Sequence, residues 1–316
     1  DGDVTRKPPP MREVQVVVER GAWPVATVPP LTGLAFAPFL RPSGEVVTKP
    51  GYDRATGLFY SPPPGLTFPD FGTAPGKAEA RKALEALTEV ICDFPFETPR
   101  DRSNALAAII TTCIRPSIPG NTPLFLITAS TRGTGKGKLA RVCSLIASWA
   151  PVAATPYTES EEENRKRTTA IAKAGTPIVL FDNIPEKGIG GSTLDAALTA
   201  DGEWTERGLG TDEMVSYPLR PTWFATGNNT VALGDTVRRV LRIHLASKWE
   251  HPEERTDFRH PDLEDWVRAE RGRLYHAALT VVRAYIYAGR PPVGLPRIGS
   301  FEKWCDWVRE PLVWLG

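Results

Sequence analysis

PLFLITASTRGTGKGKL, residues 123–139, runs from an apolar segment through a glycine-rich turn into a segment with helical periodicity. It predicts a buried strand, a turn and a helix, in that order. Such a turn surrounds phosphate well. Backbone N–H groups and the helix start both favour negative charge, and glycine lets the chain approach closely. Ser130, Thr131, Arg132, Gly133, Thr134, Gly135, Lys136, Gly137 and Lys138 are therefore the candidate nucleotide cradle. Lys136 is the candidate for the terminal phosphates. The pattern departs from a strict phosphate loop at both ends. Ser130 stands where such a loop has glycine, and Gly137 where it has a magnesium-binding hydroxyl. Taken alone, the stretch also suits a structural glycine turn.

A second station raises the nucleotide reading. TPIVLFDN, residues 176–183, suits a central parallel strand ending in Asp182, a carboxylate able to hold magnesium directly or through water. Two strand ends, one with GTGK and one with Asp182, fit a ligand crevice at the carboxyl edge of a sheet. ATP and Mg2+ are the implied cofactors. Asn183 follows, where many related ATPases carry a glutamate; an amide orients water but is no carboxylate base. Glu163, in the run TESEEENRKR, is the candidate replacement, with an exposed, charge-balanced helix face as the competing reading. PTWFATGNN, residues 221–229, supplies another strand, ending in Asn228 and Asn229.

Around these motifs, 38 basic residues against 37 acidic give a net charge of +1, which neither supports nor excludes nucleic acid. Cys92, Cys113, Cys143 and Cys305 have no CxxC spacing, and the four histidines no metal-ligand rhythm, so reduced thiols and no zinc are expected. With no apolar run of spanning length and no secretory leader, a cytoplasmic, membrane-free protein is expected. A chain starting at Asp1 reads as a fragment or processed form. Residues 1–75 read as a β-rich extension or linker, with strand character at 12–21 and a turn over Gly51–Leu58. Residues 76–120 read as a helical lead-in or collar, 121–250 as the nucleotide core with a hairpin near 202–219, and 251–316 as a helical lid. Trp304, Trp307 and Trp314 sit among leucines and valines that suit helix packing.

The ordered set of segments resembles a known family. PLFLITASTRGTGKGKL, EEENRKR, IVLFDN, LTADGEWTERGLG, WFATGNN, GDTVRRV and RHPDLEDWV, spread over about residues 77–290, resemble P-loop helicases of prophages, plasmids and other mobile replicons. These are similar to superfamily 3 and AAA+ replicative helicases. RPSGEVVTKPGYDRATGLFY resembles the extension beside such motors. The resemblance implies an α/β fold: a P-loop, AAA+-like three-layer core with a parallel central sheet, a β-rich extension and a helical lid. Lys136 would then be the phosphate lysine and Asp182 the metal aspartate. Asn228 would be the sensor for the attacking water, with Asn229 as its rival. Arg238 or Arg239 would reach a neighbouring subunit's γ-phosphate. Arg255, Arg259 and Arg268 are weaker lid candidates.

The implied assembly is a homo-oligomer, a hexamer, acting on single-stranded DNA with an upstream primase or replication-initiation module. Trp204, Arg207 and Leu209 are the DNA-contacting candidates on the hairpin. Two other functions compete: an AAA+ loader or remodeller of a protein partner, and a nucleotide-binding structural protein weakened at Gly137 and Asn183.

Overall fold

The computed structural model describes residues 9–19, 29–148, 150–207, 214–249 and 251–316. Strand character is expected at residues 12–21, but Met11–Glu19 is a helix, α1. Pro10 supplies the carbonyl that accepts the Glu13 and Val14 N–H groups. Among the described residues, this segment joins no sheet. A lone strand would leave its amides unpaired, whereas a helix satisfies them internally. Short extended pieces follow as expected: β1 (Gly33–Ala35), β2 (Phe39–Leu40), β3 (Val46–Val47), β4 (Gly51–Asp53) and β5 (Leu58–Tyr60). β4 and β5 pair antiparallel across the predicted turn. There Asp53 accepts from the Thr56 N–H and hydroxyl and from Arg41.

Helices α2 (Lys77–Val90) and α3 (Pro99–Ile114) come next. Thr98 and Asp101 cap α3 reciprocally, with Pro99 in the first turn. The core then runs β6 (Leu124–Ala129), α4 (Lys136–Ala147), β7 (Ala154–Pro156), α5 (Glu161–Ala174), β8 (Ile178–Ile184) and α6 (Ser192–Leu198). A hairpin of β9 (Glu203–Arg207) and β10 (Met214–Pro218) precedes β11 (Thr222–Asn228) and β12 (Val240–Leu245).

Every residue of β6 is buried, as a strand covered on both faces requires. Its side chains alternate between two cores. Phe125, Ile127 and Ala129 join α3, α4 and the later helix α7 (Leu263–Tyr287), while Leu124 and Leu126 join α5 and α6. That makes three layers around a parallel sheet of order β12-β6-β11-β8-β7. β6, the first of these strands, lies between the last two. Connections therefore leave it toward both sides of the sheet and open a crevice at its carboxyl end. The chain has the expected α/β fold, a three-layer core with a parallel central sheet and a helical C-terminal region. β7 and β12 are not placed by the sequence reading. β7 is a three-residue edge strand with an exposed, intermediate, exposed pattern, and it carries almost no periodic signal.

Helices α2 and α3 share one core with α4 and α7. After α7, α8 (Glu302–Trp304), a π turn (Cys305–Arg309) and α9 (Glu310–Leu315) bury Trp304 and Trp307. The Trp304 indole donates to Thr111 Oγ1 at 2.8 Å, so these aromatics pack helices as expected. All four cysteines are free. Among the described residues, no helix is long and apolar enough to cross a membrane.

The extension is tied to α7 by buried polar groups. Tyr275 Oη lies 2.7 Å from the Pro38 carbonyl and 2.9 Å from that of Cys113. Arg283, 3% exposed, donates to the carbonyls of Gly44, Phe71, Gly72 and Thr73. Four carbonyls are thus satisfied by one planar cation. Arg283→Leu is expected to destabilise the protein by about 2–4 kcal/mol, because those carbonyls lose a charged donor. Urea denaturation should show the lower midpoint, and limited proteolysis should cut earliest within residues 61–75. An unchanged midpoint would mean that the extension is held by other contacts.

Candidate nucleotide site

The turn between β6 and α4 has the backbone that its glycines predict. Gly133 and Gly135 take φ of +75° and +92°, the left-handed region that glycine enters without strain. A Cβ on Gly135 would also sit 3.2 Å from the Phe94 ring. α4 starts at Lys136, so the irregular residue Gly137 lies in the first helical turn, and among the described residues nothing outside its own helix backbone stands within 4 Å of where its Cβ would be.

Lys136 is half-buried and points back over the turn. Its Nζ donates to Asn228 Oδ1 at 2.7 Å, to the Thr131 carbonyl at 3.2 Å and to Thr134 Oγ1 at 3.5 Å. Burial lowers its pKa below the ordinary lysine range; the Asp182 charge acts in the opposite sense, and Arg132 adds to the lowering. Asn228 is placed by register, because β11 pairs with β6 so that Asn228 is level with Ala129, the last residue before the turn. Asn229 is exposed, has φ of +50°, and gives its N–H to the Ala129 carbonyl. Of the two asparagines, the structure brings Asn228 to the lysine.

Asp182 stands at the carboxyl end of β8, exposed on its open side. Its carboxylate accepts from the hydroxyl of Thr226, which also accepts the Asn183 N–H at 3.2 Å. The sequence reading missed Thr226. The available signal was its spacing: two residues before Asn228 on one strand, it faces the same side of the sheet.

The donor set suits a metal that arrives with its ligand. Among the described residues, no cluster of three or more His, Cys, Asp or Glu is placed to hold an ion. Magnesium commonly uses one or two carboxylates, waters and substrate phosphates, a role that Asp182 fits. The turn offers a backbone cradle that a Cβ at Gly135 would crowd, and Lys136 supplies positive charge beside it.

A cavity of about 450 Å3 adjoins the turn at Gly133–Gly135 and Lys138. Phe94, Phe96, Trp249, Phe258 and Leu263 give it apolar walls. Arg255 closes one side, donating to the Asp93 carbonyl at 2.7 Å with its guanidinium 4.5 Å from the Phe258 ring centre. Flat apolar walls next to a phosphate cradle suit a heterocyclic base. Among the lining residues outside the turn the sequence reading singled out Arg255 alone, since residues 93–96 and 246–263 are far in the chain from the turn and from each other. Arg259 gives its N–H to Asp93 and pairs with Glu89, while Arg268 pairs with Asp265 on the surface.

Other candidates fall elsewhere. Glu163 is exposed on the first turn of α5; its carboxylate pairs with Lys166 at 3.1 Å and joins none of the site residues. It is a helix-start carboxylate of the kind the helix dipole favours. The structure thus pairs the candidate base with Lys166 and shows no contact between it and Lys136, Asp182 or Asn228 among the described residues. Trp204, expected as a DNA contact, is 8% exposed, packs against α5 and α6, and donates to Thr169 Oγ1 at 2.9 Å. It anchors the base of the expected hairpin. Arg207 is the last residue of β9, and Leu209 lies outside the described residues. Arg239 is 11% exposed and spent on Asp195 at 2.9 Å, whereas Arg238 is 68% exposed and pairs with Asp235 at 3.0 Å.

Neither a protein-family model nor a curated protein sequence matches the chain. Among solved structures it is similar to the apo A form of the NrS-1 C-terminal region, at 12% identity and a TM-score of 0.47 over 85% of this chain. It is also similar to the JCV helicase, at 13% identity and a TM-score of 0.31 over 74% of this chain, and to an inhibitor-bound form at 11% and 0.31. The chain spans 59% of the length of each of these solved chains.

Two outcomes follow from the geometry. A lysine with a lowered pKa attracts phosphate while charged, and that attraction is lost as pH rises through its folded-state value. Nucleotide affinity measured by calorimetry should therefore fall with rising pH before an ordinary lysine would deprotonate, and Lys136→Ala should remove this limb. The nucleotide-free protein should gain stability over the same interval, because the unfolded lysine keeps its proton longer. Separately, the open space at Gly137 predicts that Gly137→Ser folds normally and lowers the Mg2+ concentration for half-maximal nucleotide binding severalfold.

Proposed function

We propose that the chain is the ATP-hydrolysing unit of a homo-oligomeric motor, a hexamer, that moves on single-stranded DNA during replication of a mobile element in the host cytoplasm. The observation that carries this reading is Lys136 bonded to Asn228 at 2.7 Å, with Asp182 reaching the same edge from the next strand. A phosphate lysine, a polar sensor and a metal carboxylate then meet where three parallel strands end. The base of ATP would enter the aromatic cavity, and its phosphates would meet the backbone of residues 130–135. Magnesium, held with Asp182, would neutralise phosphate charge. On phosphate arrival Lys136 exchanges Asn228 for the phosphate oxygens, which frees the Asn228 amide to orient a water. Exposed Arg238 is the arginine available to a neighbouring subunit, since Arg239 is internally bound.

Packing of Trp204 inside favours a second reading, a loader or remodeller of a protein partner, because it removes an aromatic base contact from the hairpin. An upstream primase or initiation module would be the partner in either case.

ATP hydrolysis by the chain, with and without single-stranded DNA, tests the proposal. Lys136→Ala should lower turnover at least about 100-fold, and DNA should stimulate the unmodified chain. Arg238→Ala should bind ATP normally yet turn over about 1000-fold more slowly. Mixing it with Lys136→Ala subunits should restore part of the activity. Turnover that ignores DNA but responds to a protein partner would move the assignment to the loader. Turnover indifferent to Lys136→Ala would remove the ATPase reading.

A further inference from the structure

The ladder between β8 and β11 slips next to the site. Thr222–Ala225 pair with Ile178–Phe181, but Gly227 pairs with Ile184. β11 advances two residues from Ala225 to Gly227 while β8 advances three from Phe181 to Ile184. One strand thus carries an extra residue, a β-bulge, in the segment that holds Asp182 and Asn183. Asn183 absorbs the extra residue with φ of +60°. Among residues with a side chain, asparagine and aspartate enter this region most readily; most others resist it.

Thr226 closes the bulge from the other strand. Its buried hydroxyl, 2% exposed, accepts the Asn183 N–H and donates to the Asp182 carboxylate. One hydroxyl serves both a backbone group displaced from the ladder and the candidate metal ligand. The far end of the bulge is pinned as well: Thr230 Oγ1 lies 2.9 Å from the Ile184 carbonyl and 2.8 Å from that of Pro185. A Cβ on Gly227 would come within 2.8 Å of the Ile184 carbonyl oxygen, so glycine is required for that approach. Asn183 itself is exposed, and among the described residues its side-chain amide makes no hydrogen bond.

We propose that Thr226 is a positioning residue that aims the Asp182 carboxylate at an incoming metal–nucleotide, and that Asn183 serves the left-handed turn of the bulge and does not orient water. The proposal rests on the nucleotide-site reading above. It gives the missing glutamate a backbone cause. A side chain at 183 leaves the sheet from a left-handed residue, on a different path from one in a regular strand. Restoring the carboxylate there does not restore a base, and the water-orienting role falls to Asn228.

The test is a Mg2+ titration of binding of a fluorescent ATP analogue to the whole chain, with thermal melting recorded for each variant. Thr226→Val should need roughly tenfold more Mg2+ for half-saturation, the usual cost of losing a hydrogen bond that orients a metal ligand. Its affinity for the analogue without Mg2+ should stay unchanged. Thr226→Ser should stay within about twofold of the unmodified chain, since the hydroxyl remains. Asn183→Gly should keep both the Mg2+ response and turnover, and Asn183→Glu should not accelerate turnover. Where valine prevents folding, Thr226→Ala makes the same comparison. A folded hydroxyl-free variant with the original Mg2+ response overturns the proposal, as does equal loss of affinity with and without Mg2+, the mark of a merely structural threonine. Faster turnover in Asn183→Glu overturns the part concerning Asn183. If the unmodified chain binds no analogue in a Lys136-dependent way, the nucleotide-site reading itself fails, a result distinct from the others.

Discussion

A half-buried ammonium needs oxygen around it, and in this chain the Lys136 ammonium draws the site together. Lys136 takes Asn228 Oδ1, the Thr131 carbonyl and the Thr134 hydroxyl. Hydrogen bonds to a charged group are worth about 1.5–3 kcal/mol, more than neutral ones, so this cluster outweighs the ordinary contacts of a surface turn. Its demands reach far into the fold. Asn228 meets the lysine because β11 lies directly beside β6 and ends level with it. β11 in turn sits between β6 and β8, which brings Asp182 to the same edge and lets its charge offset part of the cost of burying the lysine.

Much of this was readable in the residues themselves. The order of apolar run, glycines and lysine predicts the β6–turn–α4 unit, and TPIVLFDN and PTWFATGNN announce β8 and β11 through unbroken apolar character. What escaped was set by contacts between distant segments. β7 is three residues long at a sheet edge, too short for a periodic signal. The cavity walls join Phe94, Trp249 and Phe258, which no local window relates. α1 shows the opposite failure: valines suggest a strand, but among the described residues the segment joins no sheet, and its backbone is satisfied as a helix.

Residue type alone also leaves undecided those side chains whose role depends on burial. Trp204 was attractive as a base-stacking group because aromatics do that on exposed hairpins, yet its ring completes the core beneath the hairpin. Arg238 and Arg239 are adjacent and chemically identical, and the structure separates them. Asp195 holds Arg239 inward and is held in turn by the Thr236 hydroxyl, while Arg238 is left on the surface with an i,i+3 partner. An exposed pair of that kind contributes only about 0–1 kcal/mol, so it restrains Arg238 little against a multiply charged phosphate. The half-buried arginine secures the turn, and the exposed one is available for transfer to another group.

The two departures from a strict phosphate-loop pattern, Gly137 and Asn183, now have different physical meanings. Gly137 leaves open space in the first turn of α4, and among the described residues no neighbour stands where the absent hydroxyl would be. Water can occupy such a place, so the departure bears on how tightly an ion is held. Asn183 instead belongs to a backbone arrangement in which the bulge, Thr226, Gly227 and Thr230 fit one another. A glycine there keeps the left-handed turn, whereas a residue that resists this conformation strains the whole arrangement. The first departure is a vacancy that a single side chain can fill, whereas the second is part of how β8 and β11 meet.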